Sequence, residues 1–420
     1  MKLSSGAAAL TIALGLLAGP ARGLHAQSAA DLLNPQVLHR LDLELHTADW
    51  ARLKENFREN EYFPVDLTWN GQTVRNAGIR SRGFGSRSGT KPALKVDFDH
   101  YATAQSFLGL KSIVLDNLAQ DSSGVHETVA SWFFSRFAIP APRAAHAVLY
   151  VRGAYAGLYA MIEPVDKTML ARVFGSVGDD VKNIGYLYEF NKVAEWRLSY
   201  LGSALEPYKA YFTAKTHETQ SDEEKYRPIE ALIRLINETP SSSIVETVGP
   251  YLELTGLVRY LAVQNFLGEN DGFLGQWGAN NFYLYRRENK PQHVIITWDD
   301  DLTFWGGPTY DVLSFHDSNV LMKKLMEVPE LRGLYLSTLV ESAVVAAEVP
   351  PASTIGALEN EIRRELDLVD AAMRADTVKP YSETEFQTAS DLMRQYAPHR
   401  VTFVLCEVER LRGVSNRGCS

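Results

Sequence analysis

Residues 269–303 are the stretch around which the chain is organised: E-N-D-G-F-L-G-Q-W-G-A-N-N-F-Y-L-Y-R-R-E-N-K-P-Q-H-V-I-I-T-W-D-D-D-L-T. The apolar run before it, residues 254–267, predicts a helix that ends close to Asp271. Two β-type runs, N-F-Y-L-Y and H-V-I-I-T-W, flank a turn-like segment and predict a hairpin. That hairpin would return the D-D-D triplet (residues 299–301) to the N-N pair (residues 280–281), near Asp271. We therefore expect a cluster of oxygen donors suited to a divalent cation such as Mg²⁺.

The three acids of the triplet are not expected to contribute equally to binding a cation. In a strand, Asp299 and Asp301 would share one face while Asp300 points away, because side chains alternate. Two carboxylates on one face repel each other unless a cation or a proton lies between them. A solvated strand end would be the ordinary explanation, but Trp298 and its aromatic neighbours favour a partly buried site. The sequence N-D-G around Asp271 is common in turns. It indicates a cation site only in combination with the oxygen donors that follow it in the chain.

The composition places the chain among soluble globular proteins. Its 420 residues could hold a large two-lobed domain or two to three small ones. A net charge of −9 without a basic block argues against general binding to nucleic acids or anionic membranes.

The N-terminus predicts export. Residues 1–26 combine Lys2, a short apolar core and small residues near Pro20, as in a secretory signal peptide, and are too short for a permanent membrane span. We expect the mature protein in a periplasm, outside the cell or at its surface. The two cysteines, Cys406 and Cys419, could pair in such a compartment, or remain unrelated thiols.

Elements along the chain change from strands to helices. Up to residue 165, strand patterns dominate, with a helical pattern over residues 121–137. After Gly175 helical spacing takes over, interrupted by a strand candidate and the central hairpin. This order predicts an α+β fold with two lobes, a β-rich N-lobe over residues 27–165 and a helix-rich C-lobe over residues 166–420.

A basic loop in the first half suggests phosphate binding. Residues 80–89, R-S-R-G-F-G-S-R-S-G, include Arg82 and could hold phosphates through backbone amides and guanidinium groups, although a flexible surface loop would look similar. Lys91 begins the next predicted strand and Lys95 lies inside it. Glu127 lies on the following helix. Lys95 could also be an ordinary surface lysine of an edge strand, and Glu127 an exposed charge on a helix.

The order of these motifs resembles the CotH family of atypical, secreted protein kinases. The resemblance is carried by R-S-R-G-F-G-S-R-S-G-T-K-P-A-L-K-V-D-F, by the segment from I-P-A-P-R to M-I-E-P-V-D-K, by N-D-G, by N-N-F-Y-L-Y and by W-D-D-D-L-T-F-W-G. It covers roughly residues 37–307. The most specific parts are the P-A-P-R to E-P-V-D-K run and the W-D-x-D-x-T-F segment.

The resemblance implies a protein-kinase-like fold that binds ATP with Mg²⁺, Mn²⁺ or Ca²⁺ and phosphorylates serine in exported or cell-surface proteins. It assigns the catalytic acid and the metal ligands to Asp271, to Asn280 or Asn281, and to Asp299 with Asp301. It assigns the contacts with the nucleotide phosphates to Arg82 and to Lys95, or less favourably Lys91. Glu127 would orient this lysine. Glu163 lies at the position of a hinge that contacts adenine.

Two other functions fit part of the pattern. A kinase-like structural or surface-binding protein without catalysis would keep the fold and lose the chemistry. A metal-dependent phosphoester hydrolase would fit a compartment where ATP is scarce. The presence of Asp271, Asn281, Asp299 and Lys95 together favours the kinase.

Overall fold

The computed structural model describes residues 27–175, 184–414 and 418–419. The expected signal peptide, residues 1–26, lies outside these ranges. Both strands and helices are present, with the strands concentrated in the first half of the described chain. The predicted α+β class with a β-rich first part and a helix-rich second part is confirmed.

The β-rich part is a closed barrel. Its strands are β1 (His39–Glu44), β2 (Phe63–Trp69), β3 (Gln72–Ser81), β4 (Leu94–Asp97), β5 (Ser112–Asp116), β6 (Ala144–Val151) and β7 (Ala154–Ile162). They follow the order β1-β2-β3-β4-β5-β7-β6, and β6 pairs in parallel with β1 to close the ring. Closure leaves no free strand edge in this sheet.

Local sequence explains two hairpins of the barrel. Asn70 and Gly71 join β2 to β3 with φ angles of 48° and 80°, and Arg152 and Gly153 join β6 to β7 with 53° and 75°. Positive φ at both positions is the requirement of a tight hairpin turn, which asparagine and glycine meet at low cost. Side chains then alternate, and β1 and β2 turn every second residue into the barrel.

A second sheet lies in the other half. It has the order β11-β10-β8-β9 and contains the predicted central hairpin. Its strands are β8 (Tyr186–Phe190), β9 (Phe212–Ala214), β10 (Phe282–Arg286) and β11 (His293–Thr297). The hairpin is in register from Phe282 opposite Thr297 to Arg286 opposite His293.

Helices surround this sheet and reach the barrel. They are α1 (Ala29–Leu32), α2 (Thr47–Glu55), α3 (His126–Ser135), α4 (Lys167–Phe174), α5 (Glu206–Tyr211), α6 (Asp222–Glu238), α7 (Ile244–Val248), α8 (Leu254–Phe266), α9 (Val320–Met326), α10 (Pro329–Ala347), α11 (Ala357–Ala375) and α12 (Glu383–Leu411), with short 3₁₀ turns at Ser241–Ser243 and His316–Ser318. None of these helices, within the described ranges, has the length and apolarity to cross a bilayer.

Two hydrophobic cores divide the interior. One fills the barrel, and the other joins α3 to the C-terminal helices and the second sheet. Phe133 of α3 stacks on Phe266 of α8 with ring centroids 5.4 Å apart. The helix α3 therefore packs with the helical half although it lies between two barrel strands in sequence.

The C-terminal helices contact both halves. Asp376, just after α11, accepts a hydrogen bond from the backbone N–H of Leu158 in β7. Arg400 of α12 is fully buried beside the C-terminal end of α8. Cys406 and Cys419 form a disulfide with Cα atoms 5.7 Å apart, which joins α12 to the end of the chain.

Candidate active site

A cavity of about 450 Å³ lies between the barrel and the second sheet. The barrel contributes Arg80 of β3, Arg82 at the start of the loop after β3, and Lys95 of β4. The central hairpin contributes Tyr283 and Trp298. Acidic side chains such as Asp97 and Glu189 line it as well, and its size suits a small charged ligand.

Asp271 and the asparagine pair meet at one end of the central hairpin. Asn280 Nδ2 donates to Asp271 Oδ2 at 2.9 Å, and Asn281 Nδ2 lies 3.5 Å from the same oxygen. Lys192 Nζ lies 3.2 Å from Asp271 Oδ1. The sequence-based expectation that these donors lie together agrees with the geometry.

The aspartate triplet returns to the same place. The Trp298 N–H donates to the Asn281 carbonyl at 3.2 Å, and the Asn270 N–H donates to the Leu302 carbonyl at 3.3 Å. These bonds hold the loop before β10 against the loop after β11. Asp299 lies between Trp298 and Leu302 in sequence and has a φ of 60°, a left-handed conformation that aspartate and asparagine adopt more readily than other non-glycine residues.

The strand alternation expected for the triplet is wrong. The strand β11 ends at Thr297, so the period of two no longer applies at Asp299. Asp300 is buried, and its carboxylate accepts a hydrogen bond from the Thr297 hydroxyl at 2.6 Å.

Carboxylates crowd the surroundings of the aspartate triplet. Burial raises the pKa of Asp299 to about 6, with Arg82 opposing the rise and Asp116 and Asp271 adding to it. Burial also raises the pKa of Asp301 well above its ordinary value, and Asp299 and Asp116 add to that rise. Negative charge packed in this way favours a bound cation, because each carboxylate destabilises the ionised form of the next.

The side chains near the aspartate triplet carry oxygen donors of the type that a hard divalent cation prefers. Glu269 Oε2 is buried and has no hydrogen-bond partner among the described residues, so one carboxylate oxygen remains free to accept a ligand. Oxygen donors of this kind suit Mg²⁺, Mn²⁺ or Ca²⁺. In the described ranges, no three acidic, histidine or cysteine side chains converge on a single point. Mg²⁺ does not require such a cage, since it is commonly held by one or two carboxylates together with substrate phosphates.

Two basic side chains face the cavity from the barrel. Arg82 lies over the Trp298 ring, with its guanidinium carbon 5.4 Å from the ring centroid, and its charge counters the acids at Asp299 and Asp116. Lys95 Nζ lies 3.2 Å from Asp97 Oδ2, and its side chain is 28 % exposed. Both cations can approach an anionic ligand in the cavity.

Lys91 is a correction to the sequence-based assignment. Its Nζ lies 2.7 Å from Asp376 Oδ2, and the two side chains are 2 % and 0 % exposed. A lysine enclosed with its counter-ion cannot also contact a nucleotide in the cleft. The spacing of Lys91 and Lys95 in K-P-A-L-K places them on the same side of an ideal strand, but β4 begins only at Leu94.

Glu127 is a second correction, because it does not orient Lys95. Its Oε2 accepts a hydrogen bond from the Asp300 N–H at 2.7 Å. Burial raises its pKa well above the ordinary value, and Asp300 and Asp299 add to the rise. The Glu127 carboxylate therefore fixes the backbone of the aspartate triplet at Asp300.

Glu163 is buried in a structural ion-pair group. Its carboxylate accepts hydrogen bonds from Arg143 at 2.7 Å and from Arg172 at 2.6 Å, so the side chain is not available to adenine. Burial favours the protonated acid, but these two guanidinium groups outweigh it and lower the pKa of Glu163. The next residues, Pro164 and Val165, line the cavity in its place.

Three acids at the site were missed from the sequence. No sequence pattern indicated a role for Glu269. It lies two residues before Asp271, and its carboxylate accepts a hydrogen bond from the Asp271 N–H at 2.6 Å. Asp116 ends β5, whose other residues are all buried, and a carboxylate at the end of a fully buried strand was a usable signal. Glu189 lies opposite Tyr283 in the second sheet, which required the strand register.

Comparison with known proteins supplies a family. A family model described as CotH kinase protein matches residues 79–404. The chain is 23 % identical over 384 residues to the inner spore coat protein H of Bacillus subtilis (strain 168), an alignment that covers 88 % of this chain and 98 % of that protein. A crystal structure of the Helicobacter pylori proinflammatory kinase CtkA aligns with 76 % of this chain and 95 % of its own, at 7 % identity and a TM-score of 0.29.

Proposed function

This chain belongs to the CotH kinase protein family, and on that premise we propose that it transfers the γ-phosphate of ATP to serine side chains of exported proteins with the help of a divalent cation. The observation that carries the proposal is the contact of Asp271 with Asn280 and Asn281, together with the position of Asp299 directly after Trp298, which lines the cavity with Arg82 and Lys95. Phosphoryl transfer depends on positioning and charge neutralisation, and this arrangement supplies groups for both.

Each group has a defined task in the proposed reaction. Asp271 accepts or orients the hydroxyl proton of the attacking serine, and Asn280 Nδ2 holds its carboxylate in place. Arg82 and Lys95 contact the phosphates from the barrel side. Tyr283 and Trp298 offer flat walls beside the base.

The divalent cation would be held by Asp299 and by the amide oxygen of Asn280 or Asn281, with Asp301 and Glu269 close behind. When bound, it neutralises charge on the phosphates. Both asparagine amides donate their N–H groups toward Asp271, so each leaves its oxygen free to act as a ligand. The choice between the two remains part of the proposal.

Product analysis separates this function from its two alternatives. Purified protein is incubated with γ-labelled ATP, Mg²⁺ or Mn²⁺ and a mixture of secreted proteins, and Asp271→Asn protein serves as the control for contaminating kinases. Label on protein serine that depends on Asp271 supports the proposal. Labelled free phosphate alone indicates a hydrolase. Absence of both turnover and nucleotide binding indicates a surface-binding protein.

Export is the second part of the proposal. It is supported by the signal-like composition of residues 1–26 and is compatible with the disulfide between Cys406 and Cys419. Fractionation of cells that express the full chain tests it. Protein that keeps its first 26 residues and stays in the cytoplasm would contradict it.

A further inference from the structure

The loop between Asp271 and Asn280 is a rigid platform that displays one tryptophan. Within it, Phe273 and Leu274 are 2 % and 7 % exposed and anchor the loop in the core, whereas Trp277 is 45 % exposed. Trp277 and its neighbour Gln276 are exposed, whereas residues 272–275 and 278–279 are buried, so the indole presents apolar surface close to the proposed catalytic acid.

Hydrogen bonds fix the platform from three directions. The Gln276 N–H donates to the Asn270 carbonyl at 2.8 Å, and the Ala279 N–H donates to the Trp196 carbonyl at 2.8 Å. Arg197 Nη2 donates to the Gln276 carbonyl at 2.7 Å. Trp277 therefore stands on a backbone that is held on both sides, and a ligand that contacts it loses little loop entropy.

Lys192 connects the tryptophan to the proposed catalytic acid. Its Nζ lies 5.3 Å from the centroid of the Trp277 ring and 3.2 Å from Asp271 Oδ1. One ammonium group thus bridges the indole and the carboxylate. An extended chain advances about 3.3–3.6 Å per residue, so a serine at Asp271 places the side chains of its near neighbours beside the indole.

The charges around the indole are paired. Lys192 is compensated by Asp271, and Arg197 Nε lies 2.9 Å from Glu195 Oε1. Among the described residues, both of these cations are paired with acids, and the apolar surface that this loop offers is the indole of Trp277.

We propose that Trp277 is a specificity-determining residue that contacts an apolar side chain next to the serine to be phosphorylated. This inference rests on the proposed kinase activity. The occupant is an extended segment of the substrate protein, and the selected neighbour is a leucine, methionine or phenylalanine. Burial of apolar surface against the indole provides the preference.

Peptide kinetics test this inference. Three synthetic serine peptides are compared, one with glycine on both sides of the serine, one with leucine before it and one with leucine after it. For the wild-type protein we expect kcat/KM for one leucine peptide to exceed that for the glycine peptide by about tenfold, the equivalent of 1.4 kcal/mol. Trp277→Ala should remove this difference through KM, with kcat and the KM for ATP unchanged.

Two further variants make the result specific. Trp277→Phe should restore most of the leucine preference, because the aromatic surface is retained. Tyr251→Ala removes an aromatic side chain of similar exposure, 42 %, outside the platform, and should keep the wild-type preference.

The outcomes distinguish this inference from the function beneath it. If no peptide and no protein is phosphorylated, the proposed kinase activity fails and this inference fails with it. If peptides are phosphorylated but Trp277→Ala keeps the leucine preference, or if the wild-type protein phosphorylates the glycine peptide as well as both leucine peptides, the kinase proposal stands and the role of Trp277 is overturned.

Discussion

Asp299 occupies a left-handed backbone position at the start of the aspartate triplet, and this determines how its role is best tested. Alanine at a φ of 60° would add backbone strain to any loss of function. Asparagine tolerates this conformation and has nearly the same shape, so Asp299→Asn removes the charge alone.

We predict that Asp299→Asn abolishes metal-dependent nucleotide binding without loss of stability. In the ligand-free protein the unfolding temperature should stay the same or rise, because the buried acids around Asp299 raise one another's pKa and one repulsive charge is removed. ATP with Mg²⁺ at a hundred times its Kd stabilises a protein by about 2.7 kcal/mol, and this stabilisation should disappear. Thermal unfolding with and without ATP and Mg²⁺ measures both effects.

The matched control for this variant is Asp42→Asn in the barrel strand β1, where the aspartate pairs with Arg40 at the surface. It should keep the full stabilisation by ATP and Mg²⁺. An unchanged ATP response in Asp299→Asn would remove Asp299 from the proposed metal site.

The two lysines after the basic loop should give opposite phenotypes. Lys95→Ala should weaken ATP binding with little change in stability, because its ammonium group faces the cavity and pairs only with the partly exposed Asp97. Lys91→Ala should lower the free energy of unfolding by about 3–5 kcal/mol, because it leaves Asp376 buried without its counter-ion. Isothermal titration with ATP and urea unfolding measure the two quantities, and a reversed pattern would return the phosphate contact to Lys91.

At the scale of elements, Glu163 joins the end of β7 to two neighbours. It binds Arg172 in α4 and Arg143 just before β6, and so fixes the connection that leads from the barrel into the second half. Because the resemblance suggested a contact with adenine at this position, its effect on stability separates the two roles.

We predict that Glu163→Gln lowers the free energy of unfolding by about 2 kcal/mol at pH 7, a size typical of hydrogen bonds to a charged group. The pKa of Glu163 is lowered in the folded state, so its contribution is present above the ordinary glutamate pKa of about 4.3 and is lost as the pH falls through the folded-state value. The difference between wild type and variant should therefore shrink toward pH 3, as urea unfolding at several pH values would show. A difference that does not depend on pH would contradict the ion-pair explanation.

Sequence patterns predicted the elements that depend on neighbours in the chain. The central hairpin was predicted from its two β-type runs. The two tight turns at Asn70 and Arg152, and the helix that Asp166 caps through the Thr168 N–H, have equally local causes in turn and capping residues. The strand β5 was missed, since its five residues lie between loops and lack the alternation of a half-buried strand.

At the scale of the whole molecule, Arg400 links α12 to the C-terminal end of α8, which leads into the loop that contains Asp271. It is fully buried, and it donates to the carbonyls of Phe266 at 2.9 Å and of Asn265 at 2.7 Å, at the C-terminal end of α8. Its remaining N–H groups reach the carbonyl of Pro308 at 3.2 Å. A cation at the C-terminal end of a helix is favoured by the helix dipole, and here it also satisfies carbonyls immediately before the catalytic loop.

We predict that Arg400→Met lowers the free energy of unfolding by about 3–5 kcal/mol, since several buried carbonyls lose their donor at once. Kinase activity should fall in proportion to the folded fraction. Arg410→Met, on the exposed side of the same helix, is the matched control and should unfold like the wild type. If Arg400→Met were as stable as this control, the link between α12 and the site would be wrong.

Local order along the chain was sufficient to predict the α+β class, the hairpin and the gathering of Asp271, Asn280 and Asn281, because these depend on short-range periodicity and on one turn. The partners of the charged residues were not predictable in this way. Lys91 meets Asp376 across 285 positions of sequence, and Glu127 meets Asp300 across 173. Burial makes each of these pairings strongly selective, since a charge removed from water requires a particular partner. That partner is determined by the packing of α11 and α3 against the barrel and the second half, and such long-range packing leaves no signature in a local pattern.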